Sequence, residues 1–215
     1  MIRGLHFGDF AYILFAFRWT LLLWIVSCTG GVVLGLAVAL LRLSARSWLR
    51  GPAVLYVRIF QGTPLLIQIL IVFFVPPLLL GIDLDPLTAA LAALTINASS
   101  YMGEVFRGSI LAMPKGQSEA ATALGLHAVS RFRFVILPQA FRIALPALVG
   151  FSVMLMKATS LAYVLGFVEI TKAAHNINAV TFQPFAVFGF VGAVYFAACW
   201  PLSLLSQRLE RKISS

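Results

Sequence analysis

The chain has 215 residues, 61% of them hydrophobic and only 11% charged, with a mean hydropathy of +0.98. Soluble domains average roughly 45–50% apolar and about 25% charged, so the composition excludes a soluble globular protein and implies an integral membrane protein with several spans. The formal charge of +9 is of the kind that membrane proteins gather in cytoplasmic loops, and it does not call for nucleic acid. Cys28 and Cys199 both lie inside apolar runs and form neither a disulfide framework nor a metal-ligand spacing.

The first stretch, MIRGLHFGDFAYILFAFRW, carries a charge near each end and no convincing cleavage site; it reads as a retained lead-in to the first span. A span needs about 20 mostly apolar residues, and five segments qualify, at about 20–43, 54–80, 86–111, 138–167 and 185–205. The link after the first span carries Arg42, Arg46 and Arg50. The link after the third carries Lys115, Arg131 and Arg133, and the tail adds Arg208, Arg211 and Lys212. The opposite links hold Asp83 and Asp85 on one side and Lys172 alone on the other. The positive-inside rule then places the C-terminus in the cytoplasm and the N-terminus outside.

The cytoplasmic link at 112–137 is longer than a turn needs. Pro114 ends the preceding helix, and KGQSEAATALGL (115–126) supplies a run of good helix formers. Glu119 is expected in the first turn, where a carboxylate favours the helix dipole, and Gly125 sits where a left-handed cap stops a helix. At about ten residues such a helix is marginal alone. A membrane-surface helix would want large apolar residues on one face; Ala120, Ala121 and Ala123 instead allow close approach, favouring a protein partner.

Three segments bring interrupted or polar residues to mid-depth, where transport sites tend to lie. In the second span, Thr63 and Pro64 should kink the helix and free carbonyls, with Gln68 a turn further. In the third are Asn97, Ser99 and Ser100, of the type that hydrogen-bonds between helices. In the fourth are Lys157, Thr159 and Ser160. A mid-membrane Lys faces the bundle interior or water; either it meets the carboxylate of a passing substrate or it makes a structural pair. Glu104 and Arg107 share a helical face near the cytoplasmic end of the third span. They form an ion pair that closes an inner gate or braces the loop, or a solvated surface pair. His6, His127 and His175 form no metal site, and no catalytic constellation falls at one depth.

Four motifs in order carry a family resemblance: Gln61-Gly62-Thr63-Pro64-Leu65-Leu66; Glu104-Val105-Phe106-Arg107-Gly108; Glu119-Ala120-Ala121 with Gly125 and then Ile136-Leu137-Pro138; and Lys157-Ala158-Thr159-Ser160-Leu161. Together they resemble the permease subunits of ABC importers for polar amino acids, over essentially the whole chain. The resemblance implies an all-α membrane protein, the five-span transmembrane domain of a type I ABC importer, and a bacterial inner-membrane location. It implies a cytoplasmic coupling helix comprising Lys115, Gly116, Gln117, Ser118, Glu119, Ala120, Ala121 and Gly125. It implies a homo- or heterodimeric permease partner, a cytoplasmic ATPase pair that binds ATP and Mg, and an extracytoplasmic amino acid-binding protein. The chain itself has no phosphate-cradling G-x-x-x-x-G-K-[ST], so it is expected to be no enzyme and to carry no cofactor. Ala158 stands where the family often has an acid, and Val149-Gly150-Phe151 stand where an Asn is common. The competing reading from another class is a self-contained, ion-coupled carrier or channel; the absence of paired repeats speaks against it.

Overall fold

The computed structural model describes residues 3–214, and those residues are helical throughout, with no strand among them. The first helix, α1 (Phe7–Leu43), starts well before residue 20. Its early turns bury Ile13 and Ala16 against a cluster of Ile170, Ala173, Ile177 and Val187, so the apolar lead-in is part of the helix. At 37 residues it is about 55 Å long, longer than the roughly 30 Å hydrocarbon core.

α1 lies along α4 (Pro86–Leu111) because small residues let the two backbones meet. A Cβ added to Gly35 would sit 2.9 Å from the Gly103 amide nitrogen, and one on Gly31 would sit 2.7 Å from the Ala98 Cβ. Asp85 caps α4, accepting from the Leu87 and Thr88 amides at 3.0 Å each. Hydrogen bonds from the Thr88 hydroxyl and amide hold its carboxyl below the usual range. Twelve of the 26 residues of α4 are buried. Its neighbours cover it, which is why it tolerates Asn97, Ser99 and Ser100 in its middle.

Residues 54–80, expected as one kinked span, are two helices. α2 (Ser47–Gly62) and α3 (Leu65–Leu80) meet at a 110° bend. Thr63 and Pro64 are extended there, and Pro64 has no N–H to continue the ladder. α5 (Lys115–Ala123) fills the long link. α6 (Ala128–Arg131) leads through a π turn (Phe132–Ile136) into α7 (Leu137–Ala158) and a 3-10 turn (Thr159–Leu165). The helical run therefore starts ten residues before the expected 138, with the π turn just ahead of Pro138, whose N–H is missing from the ladder.

An unforeseen helix, α8 (Ile170–Thr181), occupies the next link, capped by the Glu169 side chain on the Lys172 amide at 2.9 Å. α9 (Pro184–Ser214) closes the fold. Three helical runs, Phe7–Leu43, Ala128–Leu165 and Pro184–Lys212, are each long and apolar enough to cross a bilayer; α2 and α3 qualify only as a bent pair.

Candidate functional site: an exposed loop helix and a buried polar knot

α5 begins at Pro114 as N-cap and ends with Gly125 at φ +77°. The Gly125 amide donates to the Thr122 carbonyl at 2.9 Å and the Leu126 amide to the Ala121 carbonyl at 3.1 Å. This double closure needs a left-handed residue, which glycine adopts at least cost. Because the helix starts at Lys115, Glu119 lies a full turn in, not in the first turn as expected; its carboxylate has no N-terminal dipole role. Ala121 is 3% exposed and anchors the helix, while Lys115, Gly116, Gln117, Glu119 and Ala120 are exposed and Ser118 is half-buried. Two bonds tie α5 to the following segment: Arg131 Nη1 donates to Thr122 Oγ1 at 2.6 Å, and Gln139 Nε2 to Gln117 Oε1 at 3.2 Å. Leu124, which the sequence reading passed over, stands 82% exposed at the end of α5.

The mid-depth residues fall into two groups. Gln68 is 4% exposed. Its Nε2 lies 2.8 Å from the Phe60 carbonyl, 3.0 Å from the Thr63 carbonyl and 2.9 Å from Thr63 Oγ1. It thereby satisfies the carbonyls that the break at Pro64 frees. Asn97 Nδ2 donates to Gln68 Oε1 at 3.0 Å, and Gln61 Nε2 donates to the Ser100 carbonyl at 3.2 Å. Ser100 is fully buried and donates to the Asn97 carbonyl at 2.8 Å. Ser99 bonds the Tyr56 hydroxyl at 2.6 Å. Gln68, Asn97 and Ser99 thus spend their polar groups holding α2, α3 and α4 together, the Ser100 hydroxyl bonds back within α4, and of these candidates only Thr63 and Pro64 are exposed.

The second group ends α7. Thr159 is buried and donates back to the Met156 carbonyl at 2.7 Å, and Ser160 to the Lys157 carbonyl at 2.7 Å. Lys157 is exposed and borders a cleft of about 250 Å³ with Tyr195, Phe196, Cys199, Trp200 and Ser203. It makes no ion pair among the described residues.

Glu104 and Arg107 do pair, through Nε–Oε1 at 3.0 Å and Nη2–Oε2 at 3.1 Å. Arg42, at the end of α1, adds a third member on Glu104 Oε1. Sequence spacing reveals pairs within one helix; it has no means of reporting an arginine 62 residues away.

With this architecture in hand, comparison with known proteins decides the family. Residues 31–215 match the model of the binding-protein-dependent transport system inner membrane component. The chain belongs to that family. Relatives include the probable amino-acid ABC transporter permease YckA of Bacillus subtilis (strain 168), 36% identical, with 95% of this chain and 90% of that protein aligned. Another is the histidine/lysine/arginine/ornithine transport system permease HisM of Salmonella typhimurium (strain LT2), 35% identical over 90% of this chain and 86% of that one. Among solved structures, an amino acid ABC transporter crystallised with histidines is similar, with a TM-score of 0.85, 33% identity and 94% of each chain covered. The MetNI methionine ABC transporter in an inward-facing form matches at a TM-score of 0.82 and 19% identity, covering 97% of this chain and 99% of that one; it shares the fold. The chain is therefore a multi-pass membrane permease with the transmembrane fold of ABC transporters, a family of subunits that work in complexes and are not themselves enzymes.

Proposed function

We propose that this chain forms half of the pathway of an ATP-driven importer for polar amino acids. Its partners in this reading are a second permease, identical or related, a cytoplasmic ATPase pair that binds ATP and Mg, and an extracytoplasmic binding protein. Relatives and a neighbouring structure named for amino-acid transport support the substrate class.

The observation that carries the mechanism is α5: a nine-residue helix, closed by its cap, with one buried residue and an exposed Glu119–Ala120 face. A helix this short is marginal unless docked, and its small side chains suit a groove on the ATPase. It would transmit nucleotide-driven closure through the π turn into α7, whose far end carries Lys157. The Arg42–Glu104–Arg107 brace lies where α1 and α4 approach the same side. In the bacterial inner membrane, the arginine-rich links place α5 and the α9 end inside and the start of α1 outside. Five spans follow if α2 with α3, and α4, each cross once beside the three long runs.

Lys157 is the charged group on this route. With no acid among the described residues engaging it, its ammonium is available to a substrate carboxylate in the cleft beside α9. The experiment is uptake of radiolabelled amino acids into proteoliposomes holding the co-purified complex and a binding protein. Uptake should need internal or external ATP on the ATPase side and should persist when ion gradients are collapsed. Uptake driven by an ion gradient without ATP would instead establish a secondary carrier.

A further inference from the structure

Three arginines from three helices gather around one carboxylate near the ends of α1 and α4. Those two helices run in the same direction, since Gly31 faces Ala98 and Gly35 faces Gly103. Arg42 and Arg107, each within about a turn of its helix's end, therefore reach the same side. Glu104 Oε1 takes both Arg42 Nη1 and Arg107 Nε, and Oε2 takes Arg107 Nη2. The third arginine comes from α2. The Tyr56 hydroxyl donates to the Ile96 carbonyl at 2.9 Å and Gln61 Nε2 to the Ser100 carbonyl at 3.2 Å. The stretch of α2 that carries Arg58 thus lies against α4, and Ser100 is one turn before Glu104 on the same face. The charges of Arg107 and Arg58 both act on Arg42.

The cluster is short of acid. Glu104 is the only acid in α4, and the sequence holds no Asp or Glu from Phe10 to Ile82, so the rest of α1, α2 and α3 supply none. Arg58 is exposed and makes no ion pair among the described residues. Arg42 Nε is enclosed and has no acceptor among them. One carboxylate answers three guanidinium groups, which leaves two positive charges over.

We propose that Arg42, Arg58 and Arg107 bind a phosphate group. Guanidinium groups arriving from three helices suit an acceptor whose oxygens face several ways, and each planar fork matches a pair of phosphate oxygens. A substrate carboxylate offers two oxygens in one plane and fits fewer of the three forks. The headgroup of an anionic phospholipid and a free phosphate ion present this same chemistry. Basic pockets between spans are where anionic headgroups settle, so the lipid is the expected source. The inference does not depend on what the chain transports.

The test uses the transporter purified through a tag on this chain, in mild detergent. Phosphatidylglycerol and phosphatidylcholine are titrated and read by native mass spectrometry, with and without inorganic phosphate as competitor. Wild-type protein should hold one phosphatidylglycerol per chain more tightly than any phosphatidylcholine. Arg58 takes no part in the Glu104 bonds, so Arg58→Gln leaves the brace intact, and it should weaken that lipid roughly fivefold. Arg46→Gln, at the exposed N-cap of α2 and more than three turns before Arg58, should change it less than about twofold. Displacement of the lipid by inorganic phosphate would assign the site to the free ion, and retention would assign it to the lipid. Equal phosphatidylglycerol affinity in wild type and Arg58→Gln would overturn the proposal. So would an equal loss in Arg46→Gln, which would mark diffuse attraction, or binding of neither lipid nor phosphate. Transport is not the readout, so a failed importer reading would leave this result interpretable.

Discussion

The α1–α4 seam and the α5 loop helix are opposite uses of small residues. Along the seam, Gly35 and Gly103 are small because the facing backbone presses on each, and Gly31 because the Ala98 and Met102 side chains do, so the space is already filled. On α5, Gly116, Ala120 and Ala123 are small with nothing against them, and only Ala121 is buried. The first region is determined by internal packing; the second is left open for another surface. That contrast separates residues that hold the subunit together from residues whose surface the subunit itself does not cover.

The contrast is broken most severely at Gly35. Gly35→Val should eliminate monodisperse protein in detergent, because even the first added carbon meets the Gly103 amide nitrogen and the Ser99 carbonyl at 2.9 and 3.1 Å. Recovery of normal, stable protein from that variant would mean that the seam is not tightly packed. Next is the polar knot. Gln68→Ala removes the donor to the Thr63 carbonyl and the acceptor of Asn97 Nδ2, leaving the Phe60 carbonyl only the Asn97 amide at 3.4 Å, an expected loss of about 1–3 kcal/mol. Thermal unfolding in detergent should report it, and an unchanged midpoint would show that water replaces the Gln68 amide.

A subtler case is Glu169. It is fully buried and accepts from the Lys172 amide at 2.9 Å and from Thr20 Oγ1 at 3.4 Å. Burial pushes its carboxyl from the ordinary 4.5 up to about 7. Ionisation is thus harder in the folded protein than in the unfolded chain, so folded stability declines as pH rises from near 4.5 through about 7. Glu169→Gln, which mimics the protonated form, should flatten the pH dependence of the unfolding midpoint across that window. Parallel curves for wild type and variant would remove Glu169 as the cause. The smallest effect on stability should come from the exposed Glu119. Glu119→Arg should shift stability by less than about 0.5 kcal/mol.

Much of this division was legible in the sequence, and the reasons are particular. Helix formers followed by Gly125 announced α5 and its left-handed stop, and Thr63-Pro64 announced a break. The severity of that break was not legible: a Pro predicts a kink, but at the 110° bend the Gln68 amide donates to the freed carbonyls and Asn97 on α4 holds Gln68. The early start of α1 and the whole of α8 are not legible at the scale of a span of about 20 residues. Ile170, Ala173, Ala174 and Ile177 recur at helical spacing, but over 12 residues, too few to cross a bilayer. Arg42 escaped because its partner is on another helix.

The claim that α5 is the surface docked by an ATPase is tested most directly by co-purification. Tagged protein would be extracted from its native membranes in a gentle detergent, as wild type and as Glu119→Arg, and the accompanying chains identified by mass spectrometry. The account predicts an ATPase subunit with the wild type and its loss from a variant that elutes and unfolds as the wild type does. An ATPase retained in full by Glu119→Arg, or a wild type that comes out without one while other transporter complexes stay intact, would contradict it.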